Sequence, residues 1–355
     1  MRTMSMTSLA NTILRAGAAL CFIGHGAFGF ITKAAWLPYF AVAGIPESAA
    51  WRLMPLIGAV DLLAALVVLI APRRLPLVYM VVWATWTALL RPLAGEPVFE
   101  TLERAGNYGV PLAFLLLAGW PIALSWRSLT ASLGQPRTDA RTFALVSEVL
   151  KWTTCLLLAG HAALGITGKA MLTAHYAAIG LPAGITGVIG WFELLLAALI
   201  AVRPRVGLLV FIAAWKLATE SLFLAAGQPI WELVERAGSY AAPLALAVLL
   251  AMLREQEVVM RLQSGGEMSK RRAKDCFTLG GRFCGREFCE QSSEYCVSAE
   301  TTSPASEWPP ALPSQTRPET SRSARRGDRR WRLREYRVTN ESLAWRLVDR
   351  ATDRL

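Results

Sequence analysis

Along this chain long apolar runs alternate with brief polar interruptions. The runs fall at 12–32, 53–71, 75–93 and 107–125, and again at 146–167, 184–202, 205–226 and 237–254. Each is close to the roughly 20 residues that carry a helix across about 30 Å of hydrocarbon. The pattern predicts an all-α membrane protein with eight spans. Links such as APRRLP at 71–76 and VRPRVG at 202–207 are so short that neighbouring helices must run antiparallel. Two tandem four-helix transmembrane bundles are therefore expected. Past about Arg254 the apolar periodicity stops, and stretches such as SARRGDRRWRLR take over. A segment of that composition buries too little apolar surface to offset its ordering entropy. The expected organisation is a first four-helix unit at 1–125, a cytoplasmic linker at 126–145, a second unit at 146–254 and a basic, disordered cytoplasmic tail at 255–355.

The two sets of runs are copies of one another. GHGAFGFITK at 24–33, GIP, GAVDLL and GEPVFETLERAGNYGVPLA are answered by GHAALGITGK, GLP, GWFELL and GQPIWELVERAGSYAAPLA. The shift is about 136 positions early and about 132 late. A tandem duplication is the reading, and a polar residue present in both copies carries information that a single one does not.

Composition agrees: 54% of residues are hydrophobic, which excludes an ordinary soluble domain. Basic residues divide unevenly between alternate loops. Arg73, Arg74, Arg127, Arg137, Arg141, Arg203, Arg205 and the tail share one side, whereas Lys33, Arg52, Arg91, Arg104, Lys169 and Arg236 on the other stand among acids. That bias predicts cytoplasmic termini, in an integral protein of a bacterial inner membrane. The first run resembles a secretory signal, but its second copy lies mid-chain, so it is expected to remain as a span.

Ionisable side chains inside a span are costly and usually functional. His25 lies eight residues before Lys33, at the outer end of the first span, and Asp61 nine after Arg52. At 1.5 Å per residue both sit about 12–13 Å deep, in one layer. His161 and Glu193 repeat the arrangement. Trp83 and Trp215 reach the same level on the third spans, with Thr87 and Thr219 one turn further out. Such a layer suits a polar ring that is bound and protonated, or a proton relay in which a carboxylate orients an imidazole. The competing reading is a lock between helices.

After each third span comes a short amphipathic segment in which Glu100 and Arg104, or Glu232 and Arg236, stand four apart and are expected to pair. Gly106 and Gly238 are expected to end this helix, and Tyr108 and Tyr240 to anchor at the headgroups. With Lys33 and Lys169 these residues form an expected interfacial set, either as a lid over a pocket or as a surface helix keeping the bundle in register.

The order of an HG-x6-K end to the first helix, a G-[IL]-P loop and a second helix opening G-x-x-[DE]-L resembles the DoxX-like membrane proteins, which are four-helix units. The likeness covers each copy, hence about two thirds of the chain, and looks like a fused pair. Asp61 stands where the family usually has glutamate, and Ala162 follows His161 where the pattern has glycine. The resemblance implies a membrane component of a quinone-linked oxidoreductase, notably of the thiosulfate:quinone type, with a quinone as the carrier and a partner oxidoreductase subunit. The alternative class is a non-enzymatic small-solute carrier or assembly factor. No flavin, haem or iron–sulfur motif accompanies the spans, and no metal site or nucleic-acid partner is expected. The lipid bilayer is the partner that the spans require. Cys21 and Cys155 are expected to be buried free thiols, and the tail's C-x7-C-x4-C-x6-C spacing lacks the close pairs of a zinc site.

Overall fold

The computed structural model describes residues 6–120 and 125–278. Its N-terminal half comprises α1 (Met6–Ile31), a 3-10 turn (Ala34–Trp36), α2 (Leu37–Val42), α3 (Glu47–Ile70), α4 (Arg74–Leu93), α5 (Phe99–Glu103) and α6 (Ala105–Leu117). After α7 (Trp126–Thr130), the C-terminal half follows a matching order: α8 (Ala140–Ile166), α9 (Ala170–Ala177), α10 (Ile185–Val202), α11 (Val206–Ala225), α12 (Trp231–Glu235) and α13 (Ala237–Thr278). Every named element among the described residues is helical.

Six helices are long and apolar enough to cross a membrane: α1, α3, α8, α10, α11 and the 237–256 part of α13. The other two expected spans correspond to α4, which carries Arg74 and Arg91 near its ends, and to α6, which has only 13 residues. Helix α3 shows how such an element meets lipid: Leu56, Val60, Leu63, Leu66 and Ile70 are exposed, while Met54, Gly58, Asp61, Ala65 and Val68 are buried. Helix ends are closed by side chains. The Arg15 guanidinium donates to Val68 O at 2.9 Å near the end of α3, and Asp139 caps α8 by accepting from Thr142 N at 2.9 Å.

Each half is a ring of four helices, with α1 on α3 and α4 on α6, then α8 on α10 and α11 on α13. The rings are not separate bundles, which corrects that expectation. α1 also packs on α12 and α13, and α8 on α5 and α6, so the halves share a wall. One apolar cluster runs through both, from Leu14, Phe22 and Phe114 to Leu150, Leu158 and Leu246. At the shared wall α6 and α13 cross backbone to backbone. A Cβ on Gly106 would lie 2.6 Å from the carbonyl carbon of Gly238, so only glycine admits the crossing.

The boundary at about Arg254 is also corrected, because α13 continues to Thr278. Helix propagation costs far less than initiation, and the residues beyond Arg254 include several good helix formers. The remainder of the tail expectation, with Cys284, Cys289 and Cys296, lies outside the described residues.

Candidate functional site

The short helices α5 and α12 are neither lids nor surface helices. Glu100, Glu232, Glu235 and Arg236 are all buried. Helix α5 runs into α6 with a break at Arg104 (φ −86°, ψ 12°), and α12 into α13 with a break at Arg236 (φ −90°, ψ 14°). Gly106 and Gly238 lie two residues past these breaks, inside the next helix, and do not end one. The Tyr108 and Tyr240 hydroxyls donate across the breaks to Thr101 O at 3.2 Å and Leu233 O at 3.1 Å. A carbonyl freed by a broken helix thus gains a donor where water is scarce.

Two more glycines set the depth of the breaks. The missing side chain of Gly24 on α1 leaves room for the Glu235 backbone, and that of Gly160 on α8 for Leu102 and Glu103. Gly160 precedes the end of α8 at Ile166 by six residues, about 9 Å of helix. Each break therefore sits beside the histidine of the opposite half. Arg104 and Arg236, expected at the outer interface, belong to the interior for this reason.

In the C-terminal half the expected layer is assembled and closed. His161 Nδ1 meets Glu193 Oε2, and Trp215 Nε1 donates to Glu193 Oε1 at 2.9 Å. Lys216 Nζ is 3.8 Å from Glu193 Oε1 and 3.0 Å from Glu220 Oε1. Glu220 Oε2 is 3.1 Å from Arg236 Nε, Arg236 pairs with Glu232 at 2.6 Å, and Glu232 with Lys33 of the other half at 2.5 Å. The expected Glu232–Arg236 pair is present. Alternating charges run without interruption from the buried imidazole to the end of α1, so each buried charge faces an opposite one.

In the N-terminal half the same layer is open. His25 Nδ1 is 3.4 Å from Asp61 Oδ2, without hydrogen-bond geometry, and its Nε2 is 3.9 Å from Glu235 Oε1 of the other half. The imidazole stacks on Trp36 with centroids 4.8 Å apart. Asp61 Oδ1 accepts from Tyr79 at 2.6 Å, and Trp83 Nε1 is buried without an acceptor among the described residues. A cavity of about 230 Å³ lies here, lined by His25, Trp36, Tyr39, Trp83, Arg91 and Arg104, with Thr87, Asn107, Phe40, Trp86 and aliphatic side chains around them. Thr87 and Thr219 are not tied to either carboxylate, since their hydroxyls donate to Ala84 O and Lys216 O of their own helices at 3.2 Å.

At the outer end of the cavity Arg91 reaches Glu96 at 2.9 Å and Glu100 at 3.3 Å. Tyr39 donates to Glu96, and Lys169 of the other half meets Glu100. The Glu100–Arg104 pair expected from the spacing is not formed. Glu100 is taken by Arg91 and Lys169, and Arg104 meets Glu103 at 3.5 Å. Burial pushes the Tyr39 phenol above its ordinary range although Arg91 acts against it, so it stays a donor at neutral pH. His175 occupies the corresponding place in the other half. Burial and then Arg236 hold its imidazole below the ordinary value, and its ring meets Phe223 edge-on at 4.1 Å.

The lining is apolar and aromatic with convergent donors, a combination that holds a ring bearing acceptor oxygens. Among the described residues no group of three His, Cys, Asp or Glu side chains is placed to hold a metal ion. Three participants had escaped the sequence reading. Tyr79 has Phe211 as its counterpart, so the comparison of copies hid it. Lys216 stands against Ala84 in the middle of an apolar run. Glu235 was visible as a repeated acid, but only packing carries it to His25. The repeated glycines at 24 and 160 were the available signal of a close approach. No family model, curated protein or solved structure matches the chain.

Proposed function

We propose that the chain is a fused pair of DoxX-like four-helix units with eight spans and cytoplasmic termini in a bacterial inner membrane. In this reading α4 and the broken α5–α6 supply the two remaining spans, and the cavity beside His25 holds the head group of a lipid-soluble quinone. The observation that carries the reading is the cavity itself, an aromatic slot whose buried indole N–H, Trp83 Nε1, lacks an acceptor among the described residues, whereas its counterpart Trp215 Nε1 donates to Glu193. A quinone oxygen would accept from that indole and from Arg104. His25, between Asp61 and Glu235, would take up or give a proton as quinone and quinol interconvert. Reduction to the quinol takes two electrons and two protons, and the electrons would come from a partner oxidoreductase subunit.

The alternative class, a non-enzymatic carrier or assembly factor, draws on the C-terminal half, where the same layer is a paired lock. Titration of purified protein with a decyl-tailed benzoquinone, followed by tryptophan quenching, separates the two. Trp83→Phe keeps the ring and removes the donor, so binding should weaken about tenfold, the equivalent of about 1.4 kcal/mol. Trp215→Phe should leave binding unchanged. Absence of saturable binding, or equal weakening by both substitutions, would remove the quinone reading.

A further inference from the structure

Superimposing the order of elements in the two halves pairs α4 with α11, and along this pair the buried residues differ in a consistent way. Ala84 and Ala88, both buried, correspond to Lys216 and Glu220. Arg91 corresponds to Phe223, which covers the Arg236 guanidinium at 3.9 Å. Arg104, which lines the cavity, thus corresponds to an arginine that in the other half is met by the Glu220 carboxylate, 2% exposed, beside the Lys216 ammonium, 1% exposed. The filling pair is internally joined: Lys216 Nζ lies 3.0 Å from Glu220 Oε1 and 3.8 Å from Glu193 Oε1, while the second Glu220 oxygen is 3.1 Å from Arg236 Nε.

We infer that the C-terminal half carries the same ligand site sealed by its own side chains, Lys216 and Glu220, and that the open site takes a ligand presenting an oxygen acceptor to Arg104. The inference rests on the ligand reading above and adds which half binds, which residues decide it and what the ligand must offer. Glu220 is in effect a tethered occupant, and its oxygen marks where a carbonyl, phenolate or carboxylate oxygen sits against Arg104. The charge balance agrees. Without a glutamate at position 88, Arg104 has only Glu103, at 3.5 Å, as an ion-pair partner among the described residues, whereas Arg236 has both Glu220 and Glu232. A part-buried guanidinium so placed favours an acceptor.

The sealing pair can be removed without orphaning a buried charge. In K216A/E220A, Glu193 keeps His161 and Trp215, and Arg236 keeps Glu232. Titration with the decyl-tailed benzoquinone should give one equivalent bound to the wild type, none to A84K/A88E and two to K216A/E220A. One equivalent bound to A84K/A88E, or one to a monodisperse K216A/E220A, would overturn the inference. Should the opened variant fail to fold, the sealing variant decides alone.

A readout independent of any ligand uses a background in which the six cysteines are serine. A cysteine at Thr87 should react with N-ethylmaleimide, one at Thr219 should not, and K216A/E220A should make the latter reactive. Absent quinone binding with this contrast intact would defeat the quinone reading and leave the seal standing. Equal reactivity of the two positions in the wild type would defeat the seal.

Discussion

Replacing a buried carboxylate by its amide should cost far more in one half than in the other. Glu193 is fully buried and serves His161, Trp215 at 2.9 Å and Lys216 at 3.8 Å. In E193Q the amide oxygen keeps the Trp215 bond, and the amide N–H can donate to the neutral tautomer of His161. Lys216 is left to share Glu220 with Arg236. Breaking a buried pair costs about 3–5 kcal/mol, of which a retained neutral bond recovers about 1, leaving a loss of about 3 kcal/mol. At about 2–4 °C per kcal/mol, the slope for domains of about 150–250 residues, the midpoint should fall by up to about 6–12 °C.

Asp61 is equally buried but has no lysine beside it. In D61N the Tyr79 bond at 2.6 Å persists, and the new amide faces His25 Nδ1 at 3.4 Å. The loss should be about 1 kcal/mol, or about 2–4 °C. Thermal unfolding of detergent-solubilised protein, followed by tryptophan fluorescence and survival on size exclusion, measures both. A midpoint that falls as far in D61N as in E193Q would refute the contrast drawn between a closed network and an open one. If His25 relays protons, D61N should also bind the quinone yet fail to protonate it.

Gly160→Ala places a methyl on the Glu103 backbone, so it should lower the unfolding midpoint by several degrees, whereas Gly187→Ala, whose Cβ meets nothing within 4 Å, should not; similar losses would deny the close approach. Deleting everything after Gln263 should leave inserted, monodisperse protein, because the apolar part of α13 ends at Gln256; aggregation on extraction would assign the tail a structural role. His175 is held below its ordinary pKa, so its contribution to stability is full above about pH 6.5 and declines as acid charges the buried ring. His175→Tyr, the residue of the other half, should flatten the fall in midpoint between about pH 6.5 and 5; an unchanged fall would place its origin elsewhere. A cysteine at Arg137 should resist impermeant labelling from the outer face; labelling would reverse the orientation.

Much of the architecture is written locally. Apolar runs of spanning length identify the helices, because lipid leaves the backbone few other ways to satisfy its hydrogen bonds. The rise of a helix converts sequence distance into depth, and for that reason counting from Lys33 and Arg52 brought His25 and Asp61 to one layer. The same arithmetic brought His161 to Glu193. Comparison of the copies marked Lys33, Lys169, Glu100 and Glu232 as worth watching, without saying what each would meet.

Those meetings were decided by the tertiary structure. Lys33 finds Glu232 across 199 positions, and His25 finds Glu235, because α1 lies against α12 at Gly24. Depth arithmetic assigns a residue to a level but not to a side of its helix or to a neighbouring half. It could not foresee that α5 and α12 leave the interface and enter the shared wall. Amphipathic character alone fits a membrane surface and a charged interior equally well. Only packing separates them, since a charge is tolerated inside when an opposite charge is already there, and here the opposite half provides it.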